Sequence, residues 1–335
     1  MIFVYLFFIF LNFILFWKID YFSEKINIYD NPNNIRKIHK SKIPRIGGIF
    51  LMINILLIFF IDTFITEILI FDTSGKMKIL ILLTLFFIFL IGFYDDKNDL
   101  KASIKFFLLF VIYIPIVNFD KTLHINYLEF SFLNKVYISQ ISIFFSILCF
   151  ILFVNFSNMY DGINGLSVSF FSICLIFLAL KTGSMTFFII LFIFSFYFLI
   201  NNVRNKLFLG DLGVYIYSFI ISYLLIKTYN IEKNIFCDEI LVLILFPALD
   251  MLRVIFTRIL TGKNPLKSDN LHIHHLIYNI NKSHLKTAAT LILLQIISMF
   301  LIFVIEIYLA LIISFLIYLT LFILSYKKSK LLKYI

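Results

Sequence analysis

Apolar runs of about 17 to 20 residues, the length a helix needs to cross a bilayer, alternate along this chain with short polar segments. They predict spans near residues 3–19, 46–65, 78–94, 103–119, 139–156, 163–180, 184–200, 212–227, 237–256, 287–304 and 306–325, eleven in all. Pro115 and Pro247 fall inside two of them, where a kink is tolerated if neighbouring helices satisfy the freed carbonyls. The first run has neither a basic leader nor an Ala-x-Ala-like cleavage site, so a span is expected there and not a cleaved signal peptide. No soluble domain, linker or repeat interrupts the pattern. Residues 1–335 are therefore expected to form one polytopic domain of the all-α integral membrane class.

Composition sharpens this reading. At 62% hydrophobic and 14% charged, a 335-residue chain cannot enclose its apolar surface in one water-facing core, so lipid must be the solvent. The net charge of +10 would suit nucleic acid, but the basic residues sit in short segments between apolar runs and report topology instead. An odd number of spans divides those segments into two sets. One holds 22 of the 29 Lys and Arg; the other holds Lys76, Lys78, Lys121, Lys135, Lys181, Lys227 and Lys233. The positive-inside rule makes the first set cytoplasmic, with the N-terminus outside and the C-terminus inside. Cys149, Cys174 and Cys237 lack metal or disulfide spacing and read as packing residues.

Every polar segment of chemical interest belongs to the cytoplasmic set, which predicts one cytosol-facing site fed from water and lipid. Asp95-Asp96-Lys97-Asn98-Asp99 follows a span directly and brings three carboxylates to headgroup level. A hard cation such as Mg²⁺ would relieve their repulsion and also bind phosphate; the plain alternative is a solvated helix end. Lys105 is placed to reach the same phosphates. Asn155 to Gly165 sets Asn158, Asp161 and Asn164 around two glycines, a composition that reads a base edge, completes a metal shell or forms an ordinary turn. Asp211, between Gly210 and Gly213, opens a span as a metal ligand, an N-cap or both. Asp250, Arg253, Arg258, Gly262-Lys263-Asn264-Pro265 and Asp269-Asn270-Leu271-His272-Ile273-His274-His275 follow. The histidine spacing does not place three imidazoles on one helical face and no Cys accompanies them, so diphosphate binding is expected there in preference to zinc. In His39 to Gly48, topological anchoring accounts for the lysines, and the Gly47-Gly48 pair equally suits helix packing.

Together these segments resemble the polyprenyl-phosphate N-acetylhexosamine-1-phosphate transferases of glycosyltransferase family 4. That family's order of H-x-x-x-x-P-x-x-G-G, D-D-x-x-D, N-x-x-N-x-x-D-G-x-D/N-G, F-x-G-D and a late His cluster recurs here over residues 36–277. The resemblance implies ten or eleven helices around a cytosolic cleft, a lipid-facing groove for a prenyl chain, and a bacterial inner-membrane location. It implies Mg²⁺, with Mn²⁺ as its substitute. Its partners are a UDP-amino sugar, undecaprenyl or another polyprenyl phosphate, membrane lipid and no nucleic acid, with a homodimer as an allowed assembly. Matched position by position, Asp211 and Asn158 resemble the metal ligands. Asp95 and Asp96 resemble acceptor-side carboxylates, joined as catalytic candidates by Asp99, Lys105, Asp161 and His274. Asn164, Asn201, His39, Arg253, His272 and His275 resemble substrate contacts. Asn164 stands where many members have Asp, and Val214 replaces the Ser that often follows G-D-x-G, departures that bear on donor preference.

The reaction this resemblance implies is attack by a lipid phosphate oxygen on the sugar-bearing phosphorus of a UDP-sugar, with UMP leaving. The His272-Ile273-His274-His275 pattern looks like the branch that starts O-antigen, enterobacterial-antigen or teichoic-acid chains. The alternative within the family is the peptidoglycan-precursor phospho-MurNAc-pentapeptide transferase, whose cluster is H-H-H-F-E. The alternative of another class, an anionic-lipid transporter or flippase, calls for polar groups near bilayer midplanes and for related halves, and neither is visible in the sequence.

Overall fold

The computed structural model describes residues 1–32, 41–69, 74–232, 234–265 and 269–331, and it is 78% helical. Helices α1 (Ile2–Trp17) and α2 (Ile19–Ile26) are bent by 64° at Lys18. Then come β1 (Tyr29–Asp30), β2 (Ile43–Pro44), α3 (Gly47–Phe64), α4 (Gly75–Asn98), α5 (Ala102–Phe119), β3 (Tyr127–Phe130) and β4 (Leu133–Tyr137). The remainder is α6 (Ser142–Tyr160), α7 (Leu166–Thr182), α8 (Thr186–Val203), α9 (Gly210–Ile231), α10 (Cys237–Leu260), α11 (Ile273–Asn281), α12 (His284–Val304) and α13 (Ile307–Leu331).

Each expected span coincides with a helix, but length and composition alone do not reach the count of eleven. Among the described residues nine helices are long and apolar enough to cross a membrane, or up to ten if the bent α1–α2 pair counts as one span. The shortfall lies at α7, an apolar helix of 17 residues. Gly165 (φ 82°) and Gly183 (φ 68°), both left-handed, fix its two ends. At about 1.5 Å per residue it spans roughly 25 Å of a hydrocarbon layer about 30 Å thick. The multi-pass membrane class stands.

The middle of the bundle is α9, enclosed along its whole length by α3, α4, α6 and α7. A helix that is apolar all round needs such company. Tyr113 of α5, Phe150 of α6 and Phe219 of α9 form a mutually stacked trio, with ring centroids 5.0, 5.9 and 6.1 Å apart. Asn12 of α1 and Asn54 of α3 exchange amide hydrogen bonds of 2.8 and 3.1 Å inside the apolar layer, where each would be costly alone.

Glycines seat the start of α9. Gly47 N donates to Phe208 O at 3.1 Å and Gly48 N to Leu209 O at 2.9 Å. A methyl group on Gly48 would overlap the backbone nitrogen of Gly213, and one on Gly92 would lie 2.5 Å from Leu212 Cα. The Gly47-Gly48 pair is thus a close-packing device that fixes the N-terminus of α9 against α3 and α4. The adjoining β1–β2 ladder, with Tyr29 opposite Pro44 and Asp30 opposite Ile43, pins the chain that enters α3.

The opposite end carries the β3–β4 hairpin. Asp238 accepts from Ser131 N at 3.1 Å, and Tyr229 Oη accepts from Glu129 N at 2.9 Å. The site lies at the other end, where α4, α6 and α8 finish and α5, α7 and α9 begin.

Candidate active site

Two cavities, of about 390 and 300 Å³, open at that end and share Asn158, Asp161, Gly162 and His275, so they form one cleft with two chambers. The larger is walled by Ala102, Phe106, Leu109, Val154, Met251 and Ile255 and carries Lys105. The smaller is walled by Asp30, Arg45, Asp96, Asn164, Asn202 and Asp211. One chamber is mostly apolar and the other densely polar.

The paired carboxylates of α4 point in different directions. Asp95 is fully buried; its Oδ1 accepts from Leu100 N at 2.8 Å and its Oδ2 from Tyr215 Oη at 2.8 Å and Lys105 Nζ at 2.6 Å. It lines neither chamber and instead holds the ammonium that does. Asp96 faces the smaller chamber, where its two oxygens accept from Asp211 N at 2.8 Å and Leu212 N at 3.1 Å. The N-cap of α9 is therefore supplied from α4, more than a hundred residues earlier. Gly210 (φ 77°) permits this approach, since a Cβ there would lie 2.5 Å from the Asp96 carboxylate. Asp211 does not cap its own helix. Its side chain, a fifth exposed, faces the cleft with Lys105 Nζ 3.8 Å away and the Asn158 side chain hydrogen-bonded to it. Asp99 is on the exposed surface, 3.8 Å from Arg45, and lines neither chamber.

Asp161, just beyond α6, touches both chambers and accepts from Ser167 Oγ. Burial raises its pKa to about 7, with the Asp211 charge adding to the effect and the Ser167 hydrogen bond opposing it. Asn164 lines the smaller chamber, but its amide nitrogen is engaged by Asn202 O at 3.0 Å and Asn205 Oδ1 at 2.7 Å. Asn201 turns back onto Tyr197 O at 2.9 Å and lines neither chamber; its neighbour Asn202 faces the cleft. His39 lies outside the described residues.

The late loop closes the larger chamber. Arg258, 1% exposed, grips Asp269 with Nε and Nη2 at 2.9 and 3.0 Å and donates to Pro265 O at 2.7 Å. Arg253 donates to Asp250 at 2.6 Å and Leu271 O at 2.7 Å and lines neither chamber. The spacing does not place three imidazoles on one helical face, and in the structure they come together by another route. His272 is the extended N-cap of α11, so it escapes the helical period, and the His272–His274 and His274–His275 ring centroids are 5.5 and 4.3 Å apart. Burial first, and neighbouring imidazoles second, hold His274 well below the ordinary histidine range and bring His275 to about 4.

Sequence reasoning passed over Arg45, which binds Asp30 and lies 3.9 Å from Asp96, and Tyr215, which holds Asp95. Tyr215 stands one helical turn after Asp211, a spacing that brings the two to one face. Arg45 sits between Pro44 and Gly47-Gly48, at a helix start rather than among the anchoring lysines.

The sequence profile of glycosyl transferase family 4 matches residues 78–229, a stretch that holds the Asp95-Asp96 pair, Lys105, the Asn155–Gly165 loop and Asp211. Over those residues the chain is similar to glycosyl transferase family 4. Among its relatives, the undecaprenyl-phosphate alpha-N-acetylglucosaminyl 1-phosphate transferase of Escherichia coli (strain K12) is 26% identical over 269 residues, 76% of this chain and 70% of that protein. The probable undecaprenyl-phosphate N-acetylglucosaminyl 1-phosphate transferase of Bacillus subtilis (strain 168) is 27% identical over 270 residues, 78% of this chain and 72% of that one. The undecaprenyl-phosphate alpha-N-acetylglucosaminyl 1-phosphate transferase of Pasteurella multocida (strain Pm70) is 27% identical over 285 residues, 76% and 72%. Arg45 and the histidine cluster lie outside the stretch matched to the family 4 profile, yet they border the same cleft.

Proposed function

We propose that this protein transfers an N-acetylhexosamine-1-phosphate from a UDP-sugar to undecaprenyl or another polyprenyl phosphate, releases UMP, and so starts a lipid-linked surface glycan at the cytosolic face of a bacterial inner membrane. The observation that carries this reading is the pair of chambers joined at Asn158, Asp161 and His275. A prenyl phosphate needs an apolar wall ending in a cation, which the larger chamber offers with Lys105. A nucleotide diphosphate needs a polar chamber with fixed donors, which the smaller one offers with Arg45 and Asn202.

In the reaction, an oxygen of the lipid phosphate forms a bond to the sugar-bearing phosphorus. The bond from that phosphorus to the bridging oxygen breaks, and UMP departs with the electron pair. Two anions must meet, so fixed cations at the meeting point matter most. Lys105, held by Asp95, faces the lipid phosphate, and Arg45, braced by Asp30, faces the diphosphate. Asp161, with a pKa near 7, takes up any proton that the acceptor phosphate carries. His274 and His275, neutral at pH 7, act through hydrogen bonds rather than charge.

Among the described residues no group of three or more His, Cys, Asp and Glu side chains is placed to hold a metal ion. The donor set nevertheless fits Mg²⁺, or Mn²⁺ in its place: Asp211 and Asn158 offer hard oxygens at the cleft, and Mg²⁺ commonly takes one or two protein ligands and completes its shell with water and phosphate. Bound there, it would neutralise charge on the diphosphate.

The test is UMP release by purified protein supplied with polyprenyl phosphate, Mg²⁺ and a panel of UDP-sugars. A UDP-N-acetylhexosamine should be the best donor. No UMP from any donor sinks the reaction class. A preference for the muramoyl-pentapeptide nucleotide leaves the class intact but moves the chain to the peptidoglycan branch.

A further inference from the structure

Three imidazoles share one corner of the cleft, yet among the described residues only His272 is hydrogen-bonded to a carboxylate. His272 Nδ1 lies 2.9 Å from Asp250 Oδ2. The other oxygen, Oδ1, accepts from Arg253 Nη2 at 2.6 Å, Ile273 N at 3.1 Å and Tyr318 Oη at 3.4 Å. Tyr318, from α13, also accepts from Arg253 Nε at 3.3 Å. Asp250 is 2% exposed and Tyr318 5%. A buried carboxylate amid that many donors is an acceptor at both oxygens, so His272 carries a proton on Nδ1. His272 lines the larger chamber, which leaves Nε2 as the nitrogen available to a ligand. His274 is arranged otherwise: its Nδ1 has no hydrogen-bond partner among the described residues, and its Nε2 abuts Gly162.

We propose that Asp250 and Tyr318 are positioning residues that fix His272 in its Nδ1–H tautomer, so that Nε2 accepts a hydrogen bond from a hydroxyl of the nucleotide sugar where that ligand reaches from the smaller chamber past the shared His275 into the larger one. This inference rests on the transferase reading and adds a role for the last helix, which otherwise stands apart from the cleft. The hydroxyl belongs to the ribose or to the hexosamine, and the ligands used below separate the two.

Asp250→Asn is a directed test of the tautomer. Because Oδ1 serves three donors, the amide oxygen of the variant takes that place and its NH₂ group faces His272 Nδ1, driving the ring proton to Nε2. The full chain, labelled with ¹⁵N-histidine, should therefore show one histidine that switches tautomer in Asp250→Asn and keeps it in Tyr318→Phe. In UMP-release assays Asp250→Asn should lower kcat/KM by about 10- to 100-fold, the usual scale for losing a group that orients a functional histidine, and Tyr318→Phe by less than about tenfold. Both losses should vanish in a His272→Ala background, because Asp250 and Tyr318 act through that ring. Weaker binding of both UMP and UDP-N-acetylglucosamine to Asp250→Asn assigns the ribose hydroxyl; weaker binding of the UDP-sugar alone assigns the hexosamine.

The inference is overturned if the tautomer does not change, if kcat/KM stays within about twofold, or if the losses add to that of His272→Ala. Should Asp250→Asn fail to fold, the Tyr318→Phe and His272→Ala cycle decides by the same criterion. A wild-type protein that turns over no donor defeats the transferase reading instead, while the tautomer measurement still judges the dyad.

Discussion

Asp96 and Asp211 line one chamber and bear the same functional group, yet their surroundings give them different tasks. Asp96 terminates a helix that is not its own, and Asp211, relieved of capping, keeps its carboxylate toward the cleft. Asp211→Asn should therefore cut turnover by at least about 100-fold, the scale of losing one charge-stabilising group, while leaving thermal unfolding in detergent unchanged. Near-normal turnover at low Mg²⁺ would remove Asp211 from the metal site. Asp96→Asn keeps one good acceptor for two N–H groups, so it should lose about 1 kcal/mol of stability together with activity. The carboxyl of Asp161 supplies a pH test. Its pKa is raised from the ordinary 3.8 to about 7, burial being the main cause. The unfolded chain thus releases that proton first, and the stabilisation, full below the ordinary value, is lost as pH rises toward 7. In EDTA, the melting temperature of the wild type should fall between pH 4 and 7 relative to Asp161→Asn; parallel curves would show that Asp161 ionises normally.

Helices meet at the site because glycines let them. Gly48→Ala places a methyl group against the backbone of Gly213, which cannot swing aside as a long side chain would. A loss of about 1 to 3 kcal/mol is expected, read as a lower unfolding midpoint, whereas Gly75→Ala, with open space around it, should be neutral or mildly stabilising. The helices themselves were legible in the sequence, since a long apolar run has few other outcomes in lipid. The bend at Lys18 and the short α7 were not, because both depend on local backbone geometry at segment ends. The polar segments announced a common site, but not which side chain fills which place. Asp96 caps α9 and Asp250 holds the start of α11 across long sequence separations, and such pairings carry no periodic signal. The histidine spacing left the clustering of the three rings unread for a related reason: His272 precedes the helix, where no helical period applies.

At the scale of the whole molecule, the two ends differ in how much exposed positive charge they carry. Of the seven lysines assigned by sequence to the end opposite the site, four are neutralised by carboxylates: Lys78 by Asp62, Lys135 by Glu129, Lys181 by Glu239 and Lys227 by Asp120, with N···O distances of 2.7, 3.0, 2.5 and 3.3 Å. At the site-bearing end Lys18, Lys25, Lys97, Lys101, Arg204, Lys206, Lys282 and Lys286 are exposed. Pairing also neutralises Arg45, Lys105, Arg253 and Arg258 at the site-bearing end, so the excess of positive charge there persists. Exposed Lys and Arg resist translocation, so the site-bearing end should face the cytosol. That orientation also suits the proposed chemistry, because UDP-sugars are cytosolic, and a cleft on the outer face would be starved of the proposed donor. The check is labelling by a membrane-impermeant maleimide in sealed cells, with Cys149, Cys174 and Cys237 replaced. A single cysteine at Lys135, in the exposed β4, should react from outside, and one at Asn98, exposed at the end of α4, only after the membrane is opened. Reaction of Asn98→Cys in sealed cells would invert the topology and remove the cytosolic donor supply on which the proposed reaction depends.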